Sequence, residues 1–317
     1  MGTTYSIRIA APLSPRKQQR LQAQIDAALD EVNRQMSTYR PDSEISRFNL
    51  SPPNQPLPIS PGFLHVLRRA LEIAHATGGA FDPTVGALVN LWGFGPDGLR
   101  RAPPSPAQID AARQTVGYRH VSIAPDGRIS KTLPGLRLDL GAIAKGYGVD
   151  QVAALLRAQN LNDFIVEIGG ETLAEGLNPD GIPWRVGILQ PTLDADNAAP
   201  LHAILRLFPP CAVATSGDYR NYFLDPSSGQ IQSHIIDPRT AAPAQHAVAS
   251  VTVLAPDCLA ADALATALLV LGPDEGLPLL ASAFPDVHAL FLLRLAPDRF
   301  EEISSPGFPA AANRLSP

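Results

Sequence analysis

The chain has 317 residues, 45% of them hydrophobic and 17% charged, enough to bury a large core without disulfide or metal staples. Its formal net charge is -5 with Lys and Arg scattered, which argues against the basic stripe of a nucleic-acid or anionic-membrane binder. Pro and Gly together stay below the roughly 25–30% that marks disorder, and two distant cysteines, Cys211 and Cys258, make no thiolate metal site and leave at most one disulfide open.

The chain opens on a strand-like alternation, T-x-Y-x-I-x-I over residues 3–9, with no signal peptide ahead of it. Ser14-Pro15 then opens a helix with Leu21, Ile25, Leu29, Val32 and Met36 on one face. Ser60-Pro61 opens a second, carrying Leu64, Leu67 and Leu71 and stopped by Gly78-Gly79. Asp82-Pro83 opens a third through Leu88 and Leu91, and Ser105-Pro106 a short fourth closed by Gly117. The signature repeats each time: a capping side chain, Pro at the first helical position, and an apolar stripe.

Strand-like runs follow at 121–123, 135–140, 164–168, 184–189, 201–207, 211–215 and 248–254, divided by helices over 143–158 and 258–271. Residues 225–229 read as a hairpin turn before an apolar strand at 231–236. The segment 191–200 reads as an acidic surface loop, and the tail beyond Phe300 is expected to be poorly ordered. No apolar run approaches the ~18 residues of a membrane span. The irregular alternation of strands and helices favours an α+β fold over a doubly wound sheet.

Three segments could carry chemistry. In L-D-L-G-A-I-A-K-G-Y-G (138–148) a strand ends in a glycine turn and a helix begins beside Lys145. Helix-start N–H groups plus a cation suit a phosphate, yet a tight turn with a surface lysine fits the pattern as well. In A-A-D-A-L-A-T-A-L-L (260–269), Asp262 and Thr266 share one face of a helix that is apolar almost all round. A buried carboxylate there needs a cation, donors or a metal, and carboxylate plus hydroxyl is a hard oxygen set suited to Mg²⁺. The alternative is a Thr266 bonded to its own helix and an Asp262 that helps near the helix start, but Asp257 already reads as the N-cap, which leaves Asp262 unexplained on that alternative. In S-H-I-I-D-P (233–238), His234 could be a general base entering an apolar strand, although a lone histidine is more often structural. Ser216 has no base near it in sequence, and Gly79-Ala80-Phe81-Asp82 reads as packing with Asp82 as a cap.

Taken together the chain resembles the ApbE family of FAD-dependent protein flavin transferases. The likeness rests on M-G-T-T-Y at the start, M-S-T-Y-R-P-D-S-E-I-S-R-F-N at 36–49 and G-G-A-F-D-P-T-V at 78–85. It continues through L-D-L-G-A-I-A-K-G-Y, I-V-E-I-G-G-E, A-T-S-G-D-Y-R-N-Y, H-I-I-D-P and A-D-A-L-A-T-A. The resemblance implies one domain over 1–300, made of two interleaved subdomains with mixed or antiparallel sheets and an active-site cleft between them, and a tail over 301–317. It implies Mg²⁺-dependent transfer of FMN from FAD to a threonine or serine of an acceptor protein, an electron-transfer flavoprotein, with release of AMP. FAD pyrophosphatase activity and a non-catalytic FAD carrier are the alternatives.

By the same likeness, Asp262, Thr266 and the carbonyl of Ala142 hold Mg²⁺. Met1, Tyr39, Ala80, Phe81, Asp82, Asp139, Lys145 and Ile236 bind FAD, and His234 takes the proton of the acceptor hydroxyl. Relatives usually carry a leader ahead of the first strand, whose methionine is residue 1 here. The resemblance therefore implies a periplasmic or membrane-anchored location where a leader precedes it, and a cytoplasmic one otherwise.

Overall fold

A computed structural model of the chain describes residues 2–100, 102–193, 199–208 and 211–308, and the backbone of 314–315. β1 (Tyr5–Ile9) leads into α1 (Pro15–Met36), whose stripe Leu21, Ile25, Leu29, Val32 and Met36 is buried as the i, i+4 spacing predicts. α2 (Glu44–Leu50) is too short to announce itself by periodicity, yet Ser43 caps it and Ile45 and Phe48 are buried. α3 (Pro61–Ala76) starts where Ser60-Pro61 predicts, with the Ser60 hydroxyl accepting from the Phe63 N–H.

α4 (Gly86–Leu91) begins later than expected. Asp82 caps no helix. Its carboxylate accepts from the N–H and hydroxyl of Thr84, so residues 82–85 form a turn before the helix starts. α5 (Pro106–Arg113) has the full Ser105–Gln108 capping box.

β2 (Val121–Ile123) and β3 (Ile129–Lys131) form a hairpin. The strand expected over 135–140 is absent. That stretch makes only one bridge, Arg137 to Val85, and the Asn49 side chain takes the place of a partner strand, donating to the Leu138 carbonyl and accepting its N–H.

α6 (Gly141–Ala158) is followed by β4 (Phe164–Ile168), β5 (Glu171–Glu175), β6 (Arg185–Leu189), β7 (Leu201–Arg206) and β8 (Cys211–Gly217). Part of the expected 191–200 loop, residues 194–198, lies outside the described residues. β9 (Tyr222–Leu224) and β10 (Ile231–Ser233) flank the predicted turn. The strand expected over 231–236 breaks at His234, whose N–H donates to the Asn221 carbonyl, before β11 (Ile236–Asp237) and β12 (Ala242–Pro243) pair.

β13 (Val248–Ala255), α7 (Cys258–Ala283), β14 (His288–Ala296), β15 (Arg299–Ser304) and β16 (Arg314–Leu315) complete the chain. α7 outruns the predicted end at 271. Gly272 (φ 70°) kinks it, and Pro273 starts a second helical stretch. Residues 301–304, expected in a poorly ordered tail, belong to the strand β15, which pairs with β14.

The chain divides into two compact units, each assembled from separated segments. The first comprises Met1–Glu31, Ile143–Gly217 and Ala247–Pro317. Among its described residues the largest sheet is antiparallel with order β1-β4-β5-β8-β13-β14-β15. β13 is buried along its whole length, and α7 lies against β8 and β13. α7 is long and apolar enough to cross a membrane, but 56% of its apolar window is buried inside the fold, which marks a core helix. Each large apolar side chain in this core contributes about 1.5–3 kcal/mol. Cys211 and Cys258 are buried free thiols, so the disulfide left open is not formed.

The second unit comprises Val32–Ala142 and Asp218–His246. It holds α2–α5, the β2–β3 hairpin and the β9–β10 and β11–β12 ladders. Leu88, Trp92, Ile236 and Ala241 form one of its buried clusters, tied by a Trp92 Nε1 bond to the Ala241 carbonyl at 3.0 Å.

Candidate active site

In the first unit the chemistry gathers where α6 meets the start of α7. Asp257 caps α7 through the Ala260 N–H at 2.7 Å, as predicted. Asp150 of α6 accepts the Cys258 and Leu259 N–H groups, both at 2.9 Å. Burial pushes the Asp150 carboxyl up to about 6 against the pull of those two donors.

The helices meet at Gly146, where any Cβ would overlap the Cys258 carbonyl and come within 2.9 Å of the Asp262 Cβ. That approach lets the Gly146 N–H donate to Asp262 Oδ2 at 3.0 Å. In a regular helix this N–H is directed at the carbonyl of residue 142.

Asp262 is buried, and of the partners left open for it, a cation, donors or a metal, the structure supplies a cation, Lys145, with Nζ 3.0 Å from Oδ1, and a donor, the Gly146 N–H. Nζ also lies 3.4 Å from Oε1 of Glu171, a residue the sequence reading did not single out. Burial alone would lower the Lys145 pKa, but the two carboxylates more than offset it and hold the ammonium above its ordinary value. Burial pushes Glu171 upward, the Asp262 charge adds to the shift, and Lys145 opposes it. One turn along α7, the Thr266 hydroxyl meets the Ser216 hydroxyl of β8 at 3.1 Å. Ser216 thus faces a hydroxyl rather than a base.

The Asp262 carboxylate and the Thr266 hydroxyl, one turn apart on α7 and beside the Glu171 carboxylate, are hard oxygens of the kind a divalent cation takes. Ala142, whose carbonyl the family likeness adds, is the second residue of α6.

In the second unit, Asp139 stands just before α6, and its Oδ1 accepts the Gly141 N–H at 2.7 Å. It forms part of a cleft of about 180 Å³ whose lining includes Thr38, Ser46, Asn49, Asn90 and Arg137. Ligand pockets commonly run to roughly 300–1,000 Å³, so this cleft is smaller than a whole dinucleotide needs. Tyr39, adjacent to Thr38, is 70% exposed. Ala80, Phe81 and Asp82 are buried. The second Asp82 oxygen accepts the Tyr118 N–H at 2.9 Å, so both oxygens serve the fold, and burial raises its pKa despite these donors.

Ile236 packs in the Trp92 cluster. His234 lies beside it in sequence, outside any strand, with Nδ1 3.1 Å from the Asn221 carbonyl and its ring edge-on to Phe94. Met1 lies outside the described residues.

Two buried groups escaped the sequence reading. Glu171 sits directly after the Gly169-Gly170 turn in the quoted I-V-E-I-G-G-E motif, where a charge at a strand start looks solvent-facing. Lys131 occupies the inward phase of I-S-K in β3, with Ile129 as its buried partner position. Period two reveals the face but not that a lysine can stay there.

A family model for the ApbE family matches residues 1–291. The FAD:protein FMN transferase of Vibrio cholerae is 43% identical over 310 residues, covering 97% of this chain and 89% of that protein. The protein of the same name from Salmonella typhimurium is 38% identical over 312 residues, covering 97% and 86%. Among solved structures, the flavin transferase ApbE from Vibrio cholerae superposes with a TM-score of 0.86 at 41% identity, covering 98% of this chain and 96% of that one.

Proposed function

The chain belongs to the ApbE family and is an enzyme of the FAD:protein FMN transferase kind, and from that premise we propose that it moves the FMN half of FAD onto a threonine or serine hydroxyl of an acceptor flavoprotein, with Mg²⁺ and with release of AMP. The observation that carries this reading is the buried Lys145–Asp262 pair one turn from Thr266. Asp262, Thr266 and the Ala142 carbonyl would hold Mg²⁺, which when bound polarises a phosphate oxygen and offsets charge on the leaving AMP.

The chain's own groups supply the rest. Lys145, kept charged by its carboxylates, offers a fixed cation to the pyrophosphate. Asp139 presents a carboxylate in the cleft, and Tyr39, next in sequence to the cleft residue Thr38, an exposed aromatic ring. Ala80, Phe81, Ile236 and Met1 would shape the flavin or adenine pocket. Asp82 acts through the turn it holds, because both its oxygens are already bonded.

His234 is the base for the acceptor hydroxyl. Its Nδ1 faces a carbonyl and so carries the hydrogen, which leaves the lone pair of the neutral ring on Nε2.

The test incubates protein, FAD and Mg²⁺ with a peptide carrying a Ser/Thr-Gly-Ala-Thr-type acceptor motif and reads masses. A peptide heavier by one FMN unit, together with AMP, is expected from the wild type and lost in Asp262→Ala. His234→Ala should lose peptide modification more than AMP formation. FMN and AMP with unmodified peptide would replace the transferase by a pyrophosphatase, and intact FAD would replace it by a carrier.

A further inference from the structure

Lys145 stands between two carboxylates, and only Asp262 has a part in the reading above. Asp262 is fully engaged, with Oδ1 and Oδ2 both within reach of Nζ and Oδ2 accepting the Gly146 N–H. Glu171 is different. It is 4% exposed, its Oε1 lies 3.4 Å from Nζ, and its Oε2 is buried with no hydrogen-bond donor among the described residues. A carboxylate oxygen buried without a donor is costly, and its neighbours in β5, Thr172, Leu173 and Ala174, are buried sheet residues that offer it no charge, while Glu175 at the far end of the strand pairs with Arg157.

The cost is explained if the oxygen is an acceptor in reserve. An ammonium and a divalent cation held at close range on one carboxylate repel each other, and in a poorly solvated site little water screens that repulsion. Lys145 must then shift, and an ammonium leaving Asp262 needs a second anion if it is to stay in the site. Glu171 supplies that anion on the side of Nζ it already touches.

We propose that Glu171 is a positioning carboxylate that receives the Lys145 ammonium when a divalent cation takes Asp262. The inference rests on Asp262 being a metal ligand. It assigns to Glu171 the job of retaining Lys145 for the substrate's phosphates instead of releasing it to solvent.

The test titrates Mn²⁺ into FAD-free protein and reads free Mn²⁺ by electron paramagnetic resonance. Glu171→Gln should weaken Mn²⁺ binding by about tenfold or more, since Lys145 then competes with no anion of its own. Glu171→Asp should recover part of that loss. Lys145→Met should bind Mn²⁺ more tightly than wild type, an effect that a purely structural Glu171–Lys145 pair would not produce and that does not depend on how well the Glu171 variants fold. Mn²⁺ affinity within twofold of wild type in a folded Glu171→Gln protein, or no tightening in Lys145→Met, overturns the proposal. Asp262→Asn separates the two layers. If it loses Mn²⁺ binding while Glu171→Gln does not, only the inference fails; if it binds as wild type, the metal reading of Asp262 fails with it.

Discussion

Lys131 is the least expected residue of the second unit: a lysine at 1% exposure whose ammonium donates to two carbonyls, Asn49 at 2.9 Å and Leu136 at 2.8 Å. The face of the Phe48 ring lies 5.2 Å from Nζ. Together with the Asn49 side chain on Leu138, it fixes the extended stretch that delivers Asp139 to its cleft. Lys131→Met keeps the stem and strands both carbonyls, so urea unfolding should show a loss of about 2–5 kcal/mol. Burial, helped by the charge of Arg137, lowers the Lys131 pKa from 10.5 to about 8. Between those values the unfolded chain binds the proton better than the native one, so this group's contribution to stability rises with pH across that window. The gap between wild type and Lys131→Met should therefore widen from pH 8 to 10.5, and a constant gap would contradict the assignment. At this scale the sequence reading reached Asp262 and its need for a partner, whether a cation, donors or a metal, because an acid in an all-apolar helix is a local contradiction. It missed Glu171 and Lys131, whose burial is decided by residues far away in the chain.

At the scale of elements, the α6–α7 contact depends on one missing side chain. Gly146→Ala would drive a methyl into the Cys258 carbonyl, which is backbone and cannot rotate away. A loss on the order of 3 kcal/mol or more is expected, with the Gly146 bond to Asp262 broken as the helices part. A variant with an unchanged urea midpoint would show that the helices are not held at this distance. Helices with a Ser-Pro start were legible because their cap, first turn and stripe all lie within one short window. α2 is too short for a stripe, and β14 reads H-A-L-F-L-L-R-L-A, a run buried for much of its length that carries little alternation. The false strand at 135–140 failed for a related reason. Its apolar alternation is real, and Leu136, Leu138 and Leu140 are buried, but a side chain rather than a strand satisfies its backbone.

For the whole molecule, the α+β class was legible from the irregular alternation of strands and helices. The order of the large sheet was not, since no local pattern tells β5 to pair with β8 or β8 with β13. A sheet built from such distant pairs should refold slowly. Refolding from urea is expected over seconds or longer, and recovery complete within milliseconds, as in helical bundles, would contradict it. The same topology constrains the ribosome. Tyr5 of β1 pairs with Ile168 of β4, about 160 residues downstream, so at roughly 5–20 residues per second β1 waits on the order of ten seconds or more for its partner. Asp262 emerges later still. During translation the nascent enzyme therefore carries Lys145 and Glu171 without the acid that completes their cluster, and the site closes only once most of the chain has been made.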